Sequence, residues 1–146
     1  MSFLQELVHN RIFVSAVLGW FIAQVLKTII HLFLTKQFVA ERMIGSGGMP
    51  SSHSATVCAL ATATGMVYGG GSFEFAIAVI LAIIVMHDAM GVRREAGKHA
   101  KILNDLLASL SKDAPPEDVL KEFLGHTPLQ VCFGALLGFC VALLLG

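Results

Sequence analysis

Apolar positions gather in four blocks along the chain, residues 12–34, 53–68, 73–90 and 128–145. Each approaches the roughly 20 residues that a helix needs to cross the hydrocarbon core of a bilayer. The pattern predicts an all-α fold, a polytopic membrane helical bundle of about four spans with short interfacial helices, and one integral membrane domain over 1–146. The second block is the shortest and carries Thr56, Thr62 and Thr64, so its signal is the weakest. Gly69-Gly70-Gly71 makes the turn between the second and third blocks.

The rival reading is a buried helical core in a soluble protein. Composition weighs against it, with 55% hydrophobic residues and only 14% charged ones. Mean hydropathy is +0.76, and so few charges cannot clothe a soluble surface. No cleavable leader is expected, because the apolar run after Arg11 is too long for one. Cys58, Cys132 and Cys140 fall inside the blocks without a metal-ligand spacing, and read as small core residues.

Ten basic residues balance ten acidic ones, which argues for no nucleic-acid partner. Their placement is more informative. The polar connections 35–52 and 91–127 hold Lys36, Arg42, Arg93, Arg94, Lys98, Lys101, Lys112 and Lys121, whereas the terminal side holds only Arg11. The positive-inside rule then puts both connections in the cytoplasm.

Within the first block, Gln24, Lys27, Thr28 and His31 recur at helical steps and share one face. Such a stripe either faces protein and water or sends the Lys27 ammonium to the headgroups by snorkelling. Ala55, Ala59 and Ala63, with Gly134 and Gly138, have the small-residue spacing of closely packed membrane helices. In the long connection, Ala100, Leu103, Leu106, Leu107 and Leu110 form a helical apolar stripe, Pro115-Pro116 breaks the chain, and 117–124 reads as a further short helix. These helices lie either on the inner leaflet or as a cap over the bundle.

Four polar groups of residues reach one membrane level. They are Lys27; Arg42 with Pro50-Ser51-Ser52-His53; His87-Asp88 with Arg93-Arg94; and His126 before Pro128. The glycine-rich turn through Gly47 and Gly48 delivers two serines and a histidine to a helix start, where unpaired N–H groups favour an anion. Cations neutralise a phosphate dianion, and two imidazoles suit a nucleophile paired with a general acid. Asp88 is placed to orient a histidine or fix an arginine.

Three segments, 47–55, 88–104 (DAMGVRREAGKHAKILN) and 125–131 (GHTPLQV), carry a resemblance that extends over nearly the whole chain. The chain resembles the divergent branch of the type 2 phosphatidic acid phosphatases, distantly related to vanadium-dependent haloperoxidases and bacterial acid phosphatases. The wider superfamily has a lysine ahead of an arginine and a proline, then Pro-Ser-Gly-His, then Ser-Arg followed by a histidine and an aspartate. The resemblance implies a reaction without metal or other cofactor, through a phosphohistidine. It makes His53 the general acid, and Lys27, Arg42, Arg93 and Ser52 phosphate ligands, with Ser51 and Arg94 beside them.

The chain departs from that pattern. Lys27 and Arg42 are more widely spaced, Ser52 replaces glycine, and Leu103 stands where aspartate is expected after His99. Two histidines therefore compete as the nucleophile. His99 keeps the linear spacing from Arg93; His126 opens the last block and has Gln130 one turn on. Helix position favours His126, with Gly97–Leu124 read as an insertion.

The expected activity is hydrolysis of a lipid phosphate monoester or diphosphate at the cytoplasmic face of a bacterial-type plasma membrane. The alternative is a catalytically degenerate lipid-phosphate-binding or membrane assembly protein using the same pocket. The expected partners are the substrate and membrane lipids, and a homodimer stays open as the oligomeric state.

Overall fold

The computed structural model describes residues 2–37, 47–110, 120 and 125–145. Its elements are helices: α1 (Phe3–His9), α2 (Arg11–Thr35), α3 (Ser52–Tyr68), α4 (Phe73–Met90), α5 (Val92–Leu110) and α6 (Pro128–Leu145). Polar side chains cap the starts of α2, α3 and α4. Asn10 accepts from the N–H groups of Ile12 and Phe13, Ser51 from that of Ser54, and Ser72 from that of Phe75. Each satisfies donors that a helix start leaves unpaired.

Helix α3 lies at the centre and packs against α2, α4 and α6. Its buried positions are small: Ser52, Ser54, Ala55, Val57, Ala59, Ala63 and Thr64. Opposite them stand glycines. Gly19 of α2 meets the Ala55 carbonyl and the Ala59 methyl, while Gly134 and Gly138 of α6 lie against the carbonyls of Ser51 and Ala55. Backbones therefore approach directly, which is how helices gain dispersion contact where burial from water drives nothing. The large apolar residues point the other way. Phe21, Ile29, Ile80, Ile84, Leu136 and Phe139 are all exposed. A soluble chain would invert this arrangement, so the outward surface is one for hydrocarbon.

Among the described residues, three helices, beginning at Arg11, Phe73 and Pro128, are long and apolar enough to cross a membrane. Helix α3 has 17 residues, about 26 Å of rise against a core of ~30 Å. Its threonines make no demand on lipid where they are bonded. Thr56 donates to the Ser52 carbonyl and Thr64 to that of Leu60, each closing a bond inside its own helix.

Helix α5 follows α4 after Gly91, and among the described elements it packs only against α4. Ala100 is buried, but Val92, Leu103, Leu106 and Leu107 are exposed. That suits a helix lying on a leaflet better than one capping the bundle. Asn104 donates to the Leu120 carbonyl and accepts from its N–H, both at 2.9 Å, tying two points sixteen residues apart. Leu120 apart, the helix expected over 117–124 and the break at Pro115-Pro116 lie outside the described residues.

Candidate functional site

Lys27 does not snorkel. The residue is 2% exposed, and its ammonium donates to Gln24 Oε1 at 2.8 Å, one turn back on α2. Gly48, at φ +83°, leaves room for the aliphatic stem: a Cβ there would sit 3.3 Å from Lys27 Cγ. Gln24 thus orients the ammonium, a role that its place on the Lys27 stripe hints at but does not define.

The turn through Gly47 and Gly48 leads into α3, with both glycines in the left-handed region. Ser51 is fully buried. Its hydroxyl oxygen accepts from the Ser54 N–H at 3.3 Å and from the Ser54 hydroxyl at 3.0 Å. Its own N–H donates to the Gln130 carbonyl at 3.1 Å, joining the α3 start to α6. Ser52 is also buried. These bonds hold the first turn of α3 still, and His53 projects from that turn.

His126 sits just ahead of α6 and is 2% exposed. Thr127-Pro-Leu-Gln130 forms a reciprocal cap. The Thr127 N–H donates to Gln130 Oε1 at 3.0 Å, and the Gln130 N–H reaches Thr127 Oγ1 at 3.4 Å. That first bond requires the amide oxygen, and not its NH2, to face the helix start. The same oxygen lies 3.3 Å from His126 Nδ1. A hydrogen on Nδ1 satisfies that contact and leaves the lone pair on Nε2. Nε2 is buried and has no hydrogen-bond partner, and the same holds for Nδ1 of His53. The two rings meet edge to face, with centroids 5.9 Å apart and planes at 62°.

Two backbone contacts set where His126 stands. Its N–H donates to the Ala89 carbonyl at 2.9 Å, fixing the α6 entry to the end of α4. Gly125, at φ +88°, lies directly on the backbone of Arg93 and Arg94, where a Cβ would collide. Burial holds the His126 imidazole below its ordinary value of 6.5. The hydrogen bond to Gln130 and the Gly48 backbone oppose that shift, while the charges of Lys27 and His53 add to it. The ring is neutral at neutral pH.

Arg93 Nε donates to Asp88 Oδ2 at 2.6 Å, across the α4–α5 joint. Both groups remain partly exposed, and both bear electrostatically on His53, as does Lys27. Asp88 thus holds the guanidinium and acts on His53 through its charge. His53, His126, Lys27, Arg93 and Asp88 gather at one end of the bundle, with Ser51 and Ser52 in the adjoining turn. His99 and Arg94 are exposed on α5, beside Glu95. Arg42 lies outside the described residues.

The parts missing from the sequence reading are Gln24, the Gly48 backbone and the cap at Thr127. Only the last has a clear sequence signal, a threonine followed three residues on by glutamine ahead of an apolar run.

Fold and site together define a membrane helical bundle that presents two histidines, a buried lysine and a tethered arginine at one end. The chain belongs to the Divergent PAP2 family, whose model matches residues 8–141. It is 38% identical over 152 residues to the uncharacterized membrane protein YuiD of Bacillus subtilis (strain 168), covering 96% of each chain. No solved structure matches the chain.

Proposed function

We propose that this protein is a membrane phosphatase that hydrolyses a lipid phosphate monoester or diphosphate through a phosphohistidine. The observation that supports it most directly is the bare, buried Nε2 of His126 beside the ring of His53. In this reading, Lys27 and Arg93 balance the charge of the phosphate. Nε2 of His126 bonds to phosphorus as the bond to the lipid oxygen breaks, and His53 gives that oxygen its proton. His53 then takes a proton from water, whose oxygen displaces His126 and releases inorganic phosphate. Cation asymmetry supports a site that faces the cytoplasm.

The test is phosphate release by the purified protein in lipid nanodiscs. Phosphatidic acid, phosphatidylglycerophosphate and a polyprenyl diphosphate are offered in turn, with and without a chelator. Release from at least one, unaltered by chelator, is the expected result; none from any would reject the reading.

The pH profile follows from the neutral ring. Above 6.5, His126 is neutral in both folded and unfolded chains and costs nothing. As pH falls through that value the unfolded chain takes up the proton first, so stability drops. Activity should fall only at still lower pH, once the folded ring is protonated. An acid limb at or above 6.5 would contradict a buried neutral nucleophile.

A second reading has one observation of its own. Gln130 is neutral where the wider superfamily has a carboxylate, so it orients His126 without stabilising a positive charge on it. A binding protein with the same pocket would take up phospholipid headgroups without turnover, and would respond to Arg93 and Arg94 substitutions but little to those of the histidines.

A further inference from the structure

Helices α4 and α6 both pack on α3 but barely touch each other. Between them runs an open cleft of about 800 Å³, within the ~300–1,000 Å³ of small-molecule sites. Ala61 and Gly65 of α3 form its floor, with Val79 and Ile83 on one wall and Leu136 and Phe139 on the other. Apart from Thr62, none of its side chains carries oxygen or nitrogen. Cys58 and Met86 line its inner end, with the thiol 3.8 Å from Met86 Sδ.

That inner end lies close to the histidines. Cys58 is five residues along α3 from His53, about 7 Å of rise, and Met86 is two residues from Asp88. From there the floor continues to Met66 for about 12 Å into the depth of the bundle. The cleft is therefore continuous in direction with the candidate site. It is open sideways to hydrocarbon, and its floor is recessed beneath large rims such as Ile83 and Phe139. A helix of a second copy would meet those rims before reaching Ala61 or Gly65. A single chain would not.

We propose that this cleft holds one hydrocarbon chain of a lipid phosphate whose headgroup lies at His53 and His126. The inference rests on the reading of the headgroup site given above. It adds that the lipid enters laterally between α4 and α6, and that any second chain stays in the bilayer.

The test uses the full chain in nanodiscs with a phosphatidic acid bearing a photoreactive diazirine in one acyl chain. The matching diacylglycerol, which lacks phosphate, serves as the control. Adducts mapped by mass spectrometry should concentrate in 58–66 and 135–143 and require the phosphate. Ala135→Trp, or the milder Ala61→Leu, should lower them roughly tenfold, the effect of excluding about two methylenes.

Adducts spread over outward residues such as Phe21 and Ile29, or indifferent to both substitutions in folded protein, would overturn the proposal. Cross-linked dimers joining Leu136 to its copy, with the cleft free of lipid adducts, would assign it instead to a second chain. Phosphate release is read in parallel. Phosphate-dependent adducts in the cleft without turnover support the slot and reject the phosphatase; turnover with scattered adducts does the reverse.

Discussion

If the proposed mechanism holds, His126→Ala should reduce phosphate release by more than about a thousandfold, because in that mechanism it removes the atom that bonds to phosphorus. The His53 ring lies across the site, and His99 is exposed on α5. His53→Ala should cost ~10²–10⁴-fold on an alkyl phosphate, the usual range for a general acid. The two variants differ in how they respond to the leaving group. A substrate such as p-nitrophenyl phosphate departs without a proton, so His53→Ala should recover most of its rate on it, whereas His126→Ala should not. Rapid quench with radiolabelled substrate should trap acid-labile phosphate on the wild type and none on His126→Ala. Trapped phosphate on His126→Ala would move the nucleophile elsewhere, with His99 next in line.

Gly138→Ala is expected to destabilise the bundle toward the upper end of the ~1–3 kcal/mol seen for overpacking. A methyl at Gly138 runs into the Ala55 carbonyl and crowds the Ala59 amide, and neither can swing aside as a side chain would. Relief requires α6 to back away from α3, which would also strain the bond from the Ser51 N–H to the Gln130 carbonyl. The comparison is Gly70→Ala, where a Cβ meets nothing within 4 Å. Thermal unfolding in detergent should separate the two variants clearly. Equal midpoints would mean that α6 is free to adjust, and that backbone contact is not what holds it.

Much of this fold is written in hydropathy. The ends of α2, α4 and α6 follow the limits of apolar runs, because lipid makes the same demand at every position of a span. Helix α3 is harder to read, since a central helix flanked by glycines needs smallness more than hydrophobicity. The site is legible as to residue type and level: His53, His126, Lys27 and Arg93 can be placed at one end from topology alone. What joins them cannot. The choice of Gln24 to hold Lys27, the reach of Asn104 to Leu120 and the seat of Gly125 on Arg93 and Arg94 depend on packing between segments far apart in sequence. Whether Lys27 turned inward was equally undetermined, because a stripe of polar residues is compatible with either direction.

The seat of Gly125 bears on how such chains can vary. Arginine and histidine stand more than thirty positions apart in sequence, yet the backbone pinches shut at Gly125, bringing the two ends of the intervening excursion together. Chain that leaves and returns at one closed neck carries no duty to measure distance. Relatives should therefore tolerate longer or shorter excursions there, while the neck itself stays glycine.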